Sequence, residues 1–560
     1  MKKSVLLLIL LLFAITTMAQ TTNSASIRGR IVNVPSGYDD KLKVYYTDPL
    51  HTIFQDMIPL NPDSLGRFEV EVPLIDKSPV FLVWATLVIS PGETYHVEMD
   101  GATGNVTVSG RDALLSNEIN QHELPVCTLI HNEMQTMSDA VVLEAAKREL
   151  KRIETEVDSI ANANPTLSKE WRQYAHYQAV SGVALFLVQR RYVSPTVRKS
   201  DGKEIWRWLH DHYICKLPHP NTLIRNLGYI VMNYVKELIS PRGRKGLNLR
   251  AIETAFDITD EQQANGAIHR TTEYMDSLRA MRMMLNDYKV LSDNNVPDSV
   301  LAKHPFSKAA PRFFKAGDQY MNTLVTNGIV GERETIEDIR HLEQLDLPED
   351  VRDYARSLLI YSQMENYHIP LSPVLLKLTN EIKNISLRDR IISQSAIYQS
   401  LATDNNNQNN LMSNDSLAGL TDGKEIFSKI ILPYRGRIIF VDCWGTWCSP
   451  CKYDLKNHTA PLHQALSDLP VTYLYLCNGS TDEAWRSTIA EYHLIGEHLI
   501  HYNLPASQQR AVEQYLQVQH FPTYIIFDSN GQRVTAPDAE PRPIDAASVR
   551  HLILELENSK

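Results

Sequence analysis

The chain is poor in cysteine: Cys127, Cys215, Cys443, Cys448, Cys451 and Cys477 are the only six in 560 residues. That is too few and too scattered for a scaffold stapled by disulfides, so stability must come from packed cores. It lacks a Lys or Arg block, and its formal net charge is −10. This excludes nucleic acid as the main partner, because phosphate binding needs a cationic footprint. The N-terminal apolar run, Val5 to Ile15, falls short of the ~18 residues of a spanning helix. Also missing are a Gly-rich phosphate loop, a G-x-S-x-G elbow and an H-E-x-x-H metal motif. What is present, 43% hydrophobic and 22% charged residues, suits a globular chain of several cores.

Met1-Lys2-Lys3, the short apolar run and then Thr17-Met18-Ala19 read as a signal peptide spanning residues 1–19. A membrane anchor is the alternative, and the shortness of the run weighs against it. No cysteine follows the run to take a lipid. The mature chain is expected to start near Gln20, soluble in an exported, oxidising compartment such as the periplasm.

Residues 20–110 read as an antiparallel β-sandwich. Ile27–Val34, Leu42–Tyr46, Arg67–Val72, Val80–Ile89 and Tyr95–Met99 are rich in β-branched and aromatic residues. Pro35-Ser36-Gly37, Asp63 to Gly66 and Ser90-Pro91-Gly92 supply turns between them. From 111 to 403 the period becomes helical and the region reads as all-α. In Ser138–Asn162, Val142, Ala146, Leu150, Ile153, Val157 and Ile160 form one apolar stripe. Trp171–Tyr192, Thr222–Ile239, Gln262–Leu285, Val351–Tyr361 and Leu387–Leu401 are similar. His210, His212, Cys215 and His219 have the residue types of a zinc or copper site. Interleaved Trp206, Trp208 and Tyr213 favour an aromatic helix end instead, so no metal is expected.

Residues 404–416, a run of Asn, Asp and Ser, are too polar to offset their ordering by burial and read as an exposed linker. Beyond it, residues 417–560 alternate strand and helix, which implies a central sheet with helices on both faces. Ile438–Cys443 is a buried strand interrupted by one carboxylate, Asp442, and Pro450 opens a helix predicted to run to Leu466. Between them stand Cys448 and Cys451, separated by Ser449 and Pro450. Such a pair also makes half of a zinc site, but this domain has no second pair to complete one. A thiol at a helix N-terminus is favoured as thiolate by the helix dipole and by free N–H groups.

Trp444-Gly-Thr-Trp-Cys448-Ser-Pro-Cys451-Lys452, with Asp442 before it and Phe521-Pro522-Thr523 ahead of a late strand, resembles the thioredoxin-like fold. The nearest branch is the exported TlpA/ResA type of thiol-disulfide oxidoreductase. The N-terminal β module resembles the small domain that precedes such modules in secreted bacterial proteins. The chemistry of the residues makes Cys448, expected to be partly exposed, the attacking thiolate and Cys451 the buried resolving thiol. Pro450 restricts the loop without costing a helix N–H; Ser449 fills it. Trp447 shields the pair, or is simply a core aromatic. The resemblance implies that Asp442 helps to deprotonate Cys451. It also implies that Pro522 follows a cis peptide bond and faces the disulfide, with Phe521 and Thr523 flanking a substrate groove. Asp454 sits where that pattern carries Glu. Cys443 and Cys477 are read as core thiols, with a second disulfide between them as the alternative.

The function expected is an exported oxidoreductase that reduces disulfides of other exported proteins, with no cofactor. By family analogy its electrons come from a membrane thiol donor. The N-terminal domain reads as a structural module, with a homodimer contact or a partner-binding face as the alternative. An oxidase or isomerase is the alternative within the same chemistry. A client-binding protein with a static Cys448–Cys451 bridge is the alternative outside it.

Overall fold

The computed structural model describes residues 24–558 apart from 35–41, 53–55, 135, 194–201, 240–248, 294–295, 317–318, 404–409 and 535–540. The leader at 1–19, the turn at Pro35–Gly37 and the first part of the polar linker therefore lie outside the described residues. The chain forms two compact units. One holds the residues up to Arg244 with Asp338–Ser362 and Lys377–Ser393; the other holds Lys245–Glu337, Gln363–Leu376 and everything from Gln394.

The first unit begins with Ser24–Val32 (β1), Lys43–Tyr46 (β2), Asp56–Pro59 (β3), Arg67–Pro73 (β4), Ser78–Leu82 (β5), Ala85–Ile89 (β6), Thr94–Asp100 (β7) and Val106–Ser109 (β8). They build two four-stranded sheets, β4-β1-β7-β8 and β3-β2-β5-β6. β4 and β7 alternate strictly, so Phe68, Val70 and Val72, like Tyr95, Val97 and Met99, turn inward. They share one apolar core with Ile27, Val44, Val80 and Leu87. Two expectations are corrected. β1 pairs parallel with β7, so that sheet is mixed rather than antiparallel. The run Val80–Ile89 is two strands, β5 and β6, paired as a hairpin, because an unbroken apolar run conceals the turn within it.

Helices follow in both units. Asp139–Ala163 is capped by Ser138, whose hydroxyl accepts from the Val141 N–H, and it buries Val142, Ala146, Ile153 and Val157 as the stripe predicts. The single helix expected over Gln262–Leu285 is instead two, Leu249–Ala264 and Thr272–Asp293. Gly266 lies between them at φ 78, a left-handed conformation that glycine takes without strain.

The C-terminal part of the second unit is built on a sheet of Ile438–Trp444 (β9), Val471–Cys477 (β10), Leu499–Asn503 (β11) and Thr523–Phe527 (β12), ordered β11-β10-β9-β12. β9, β10 and β11 run parallel and β12 antiparallel to β9. Every residue of β9, β10 and β12 is buried, as a sheet covered on both faces requires. One face packs Ile438, Phe440 and Trp444 with Leu455, Leu462 and Ile553; the other packs Ile439, Val441 and Cys443 with Phe427, Ile430 and Val512. The helix expected over 450–466 is broken into Ser449–Asn457 and Thr459–Ala465. Pro461 explains the break: its ring collides with the Asn457 carbonyl and offers it no N–H, so the proline fits only in the first turn of a new helix.

The described end of the polar linker is exposed at Ser413, Asp415 and Ser416, and tied down between them and before. Leu411 bridges to His501, the Met412 N–H donates to the His501 carbonyl (2.9 Å), and Asn414 Nδ2 donates to the Asn503 carbonyl (2.8 Å). The asparagines that look solvated in the sequence instead satisfy the open edge of β11.

Candidate active site

β9 ends at Trp444, and Gly445-Thr446-Trp447 carries the chain to the next helix. That loop is pinned to the end of β10. The Trp447 Nε1–H donates to the Asn478 carbonyl (3.0 Å), and the Thr446 N–H donates to the Ser480 hydroxyl (3.1 Å). A Cβ on Gly445 would stand 2.7 Å from Trp447 Nε1, so only glycine lets the indole fold back over the loop.

Cys448 is the N-cap of helix Ser449–Asn457, in extended backbone at φ −92 and ψ 98. Its Sγ accepts a hydrogen bond from the Cys451 N–H at 3.2 Å. Ser449 and Pro450 form the first helical positions, where proline's missing N–H leaves nothing unsatisfied. Cys448 and Cys451 are joined by a disulfide, with Cα atoms 5.2 Å apart. When that bond opens, the N–H that now meets Cys448 Sγ and the positive end of the helix both favour negative charge on the sulfur.

The expectation of a partly exposed Cys448 is corrected: in the disulfide state it is 4% exposed and Cys451 1%. Both join the core cluster of Trp444 and Leu455, because the bridge folds the Cys448 sulfur back onto the helix. Trp447 is half-buried against this cluster, its ring edge-on to Phe521 at 5.3 Å. The Phe521–Pro522 peptide bond is cis. Thr523 opens β12 opposite Cys443, with its hydroxyl donating to the His520 carbonyl (2.6 Å). The loop before β12 and the loop after β9 thus meet through Trp447 and Phe521.

Asp442 lies on the face of β9 that carries the disulfide, since Phe440 and Trp444, two residues to either side, belong to the same cluster as Cys448 and Cys451. Its cross-strand neighbours are Tyr475 and Tyr524. It is 3% exposed and its Oδ1 has no hydrogen-bond partner among the described residues. Burial, reinforced by the charge of Asp454, holds its carboxyl well above the usual carboxylate range. Asp454 is itself buried, accepts from the Tyr524 hydroxyl (2.8 Å) and lies 3.3 Å from Arg542 Nη2. A carboxyl under a disulfide can, in its protonated form, release a proton to a departing thiolate and, once ionised, take one from a thiol.

Cys443 and Cys477 face opposite sides of the sheet, one in each core cluster, so a bridge between them has no geometry. Burial pushes the Cys477 thiol up to about 12. The His210 cluster gathers only in part: His210 Nε2 stands 3.3 Å from Cys215 Sγ, while His212 and His219 turn to other neighbours. His210 Nδ1 contacts the Tyr234 hydroxyl (2.8 Å), His212 stacks on Trp208 at 4.9 Å, and His219 is buried. Among the described residues no group of three or more His, Cys, Asp or Glu could hold a metal ion.

Sequence reasoning passed over Lys452 except as a letter of the motif. It is buried behind Cys451, and its Nζ donates to the Glu365 and Asn366 carbonyls at 2.7 and 2.8 Å. Those partners lie more than eighty residues away, so no local pattern could have announced them.

Comparison with known proteins agrees with this geometry over the same stretch. Residues 436–533 match the thioredoxin-like domain family, and this part of the chain is a thioredoxin-like domain. A thioredoxin of Malassezia sympodialis is 24% identical over 20% of this chain and 82% of its own length. Thioredoxin AMT13 of Alternaria alternata is 27% identical over 24% of this chain and 86% of its own. Among solved structures, the thioredoxin domain of a thiol-disulfide oxidoreductase from Bacteroides vulgatus aligns with TM-score 0.20 and 20% identity, covering 22% of this chain and 84% of that one. A thiol:disulfide interchange protein from Bacteroides sp. aligns with TM-score 0.19 and 21% identity, covering 22% and 76%.

Proposed function

We propose that this protein is an exported thiol-disulfide oxidoreductase of the TlpA/ResA type that reduces disulfides in other exported proteins. The observation that carries the reading is the N-cap position of Cys448. One helix start supplies a proximal sulfur, an N–H aimed at it and a partner sulfur three residues on. Cys448 attacks the client disulfide, forming a mixed disulfide and expelling one client thiolate. Cys451 then attacks Cys448, which frees the second client thiolate and leaves the Cys448–Cys451 bridge. Two electrons pass to the client, and Asp442, in its ionised form, takes the proton that Cys451 loses as it attacks. Trp447, Phe521, Pro522 and Thr523 form the wall against which an extended client segment lies; Ser449 and Pro450 set the loop between the sulfurs.

The pattern of Met1–Ala19 supports export, and reduction in an oxidising compartment calls for a membrane thiol donor to restore the dithiol. No helix of the described residues is long and apolar enough to cross a membrane. The N-terminal sheets are read as a structural module, with a homodimer contact as the alternative. The test is reduction of insulin by dithiothreitol with and without the full-length protein. Acceleration supports exchange; an unchanged rate identifies the bridge as static. Equilibration with glutathione then sets direction. A potential near −270 mV marks a reductant, and one near −120 mV an oxidase.

A further inference from the structure

Lys452 follows the resolving cysteine directly and is 7% exposed. A buried ammonium is costly unless all its donors are met. Here two go to the Glu365 and Asn366 carbonyls, in the last turn of helix Glu349–Tyr367, and His368 Nδ1 stands 3.4 Å away. Those carbonyls are the negative end of a helix dipole, so the lysine caps one helix while belonging to the first turn of another. His368 is wholly buried in left-handed backbone at φ 52, its ring packed on Tyr398 at 5.0 Å and Tyr492 at 5.4 Å. Its Nε2 lies 2.7 Å from Glu491 Oε2, a close polar contact although not aligned as a hydrogen bond. Glu365 in turn accepts from the Tyr398 hydroxyl (2.7 Å). Every residue in this chain of contacts belongs to the second unit.

We propose that Lys452, held by the Glu365–Asn366 carbonyls and balanced by Glu491 through His368, is a positioning residue that sets the reduction potential of the Cys448/Cys451 pair. The inference rests on the exchange reading above. Reduction by a donor dithiol breaks the Cys448–Cys451 bond and forms the donor's disulfide, transferring two electrons and two protons. When Cys448 remains a thiolate, one of those protons goes to solvent. The disulfide is neutral and the thiolate is not, so a fixed cation in the same helical turn stabilises only the reduced form. Two unit charges roughly 10 Å apart at an effective dielectric of about 20 interact by on the order of tenfold in an equilibrium constant, which sets the scale of the preference. Burial brings the Lys452 ammonium down to about 8, opposed by the charges of Glu365 and Glu491. The effect is therefore present at pH 7 and fades as pH rises past 8.

The experiment compares glutathione-equilibrated potentials of full-length wild type, Lys452→Met, Lys452→Arg and Glu491→Gln from pH 6 to 9.5. Lys452→Met is expected to lower the equilibrium constant for reduction about tenfold at pH 7, which is about 30 mV toward the more reducing side. Lys452→Arg restores the wild-type value, and Glu491→Gln moves it the opposite way by exposing more of the cation's charge. The gap between wild type and Lys452→Met closes above pH 8. Equal potentials for wild type and Glu491→Gln, or a Lys452→Met shift that persists unchanged at pH 9.5, overturn the proposal and leave Lys452 a packing residue. Should Lys452→Met fail to fold, Glu491→Gln carries the test. A wild-type protein inert toward insulin would instead indict the exchange reading itself.

Discussion

In the N-terminal sheets most charged residues stand on outward strand faces, and the buried Asp56 of β3 has the His51 ring nitrogen 2.8 Å from its carboxyl. Arg28 and Glu69 pair across β1 and β4 at 2.8 Å with side chains 55% and 57% exposed. In the C-terminal sheet an ionisable residue, Asp442, sits inside a strand with no exposed position, Asp454 is buried near it, and Lys452 is buried on the adjoining helix. Both regions solve the same packing problem with four-stranded sheets and apolar cores. The second gathers groups whose ionisation burial opposes, Asp442 and Lys452, around two cysteines. Polar groups kept where packing alone would choose Leu or Val mark the working part of the molecule.

The comparison is broken most severely by Cys448→Ser. If the buried charges serve exchange at this sulfur, insulin reduction falls on the order of 10³-fold or more, the scale of losing a nucleophile. Trp444→Ala, at a wholly buried position next to the motif, is expected to cost about 3–5 kcal/mol in urea unfolding, since it removes a large core side chain. Asp442→Asn separates stability from function. The raised pKa means that the folded state holds a proton that the unfolded state has lost, so wild-type stability falls as pH rises from the ordinary carboxylate range toward the raised one. The Asn variant should thus be more stable than wild type at pH 7, by about 1.4 kcal/mol for each unit of the shift that lies below pH 7. The gap should vanish toward pH 4 while turnover falls about 10²-fold. Smallest is Arg28→Ala, where loss of an exposed pair changes stability by no more than about 0.5 kcal/mol and leaves turnover intact.

Legibility in the sequence follows the same divide. β10 and β12 were readable to the residue, because continuous β-branched and aromatic runs between turn signals admit little else. The pair Cys448/Cys451, Asp442 and Pro522 were legible for a related reason: each breaks the pattern of the element that carries it. The hairpin β5–β6 was hidden by uniform apolarity, the parallel pairing of β1 with β7 by the long-range nature of register, and the docking of 410–414 by asparagine's double life as solvated residue and edge partner. Burial of Cys448 could not be read at all, since it depends on a bond between two side chains. Lys452 and His368 show the same limit, since a buried cation looks like any other lysine until its distant carbonyls are in place.

The most direct test of the central claim is to treat reduced Cys451→Ala protein with a peptide disulfide and map the product by mass spectrometry. Disulfide exchange through the helix N-cap predicts one stable adduct, on Cys448. An adduct at Cys215 or Cys127 with Cys448 unmodified, or no adduct at all, would contradict it.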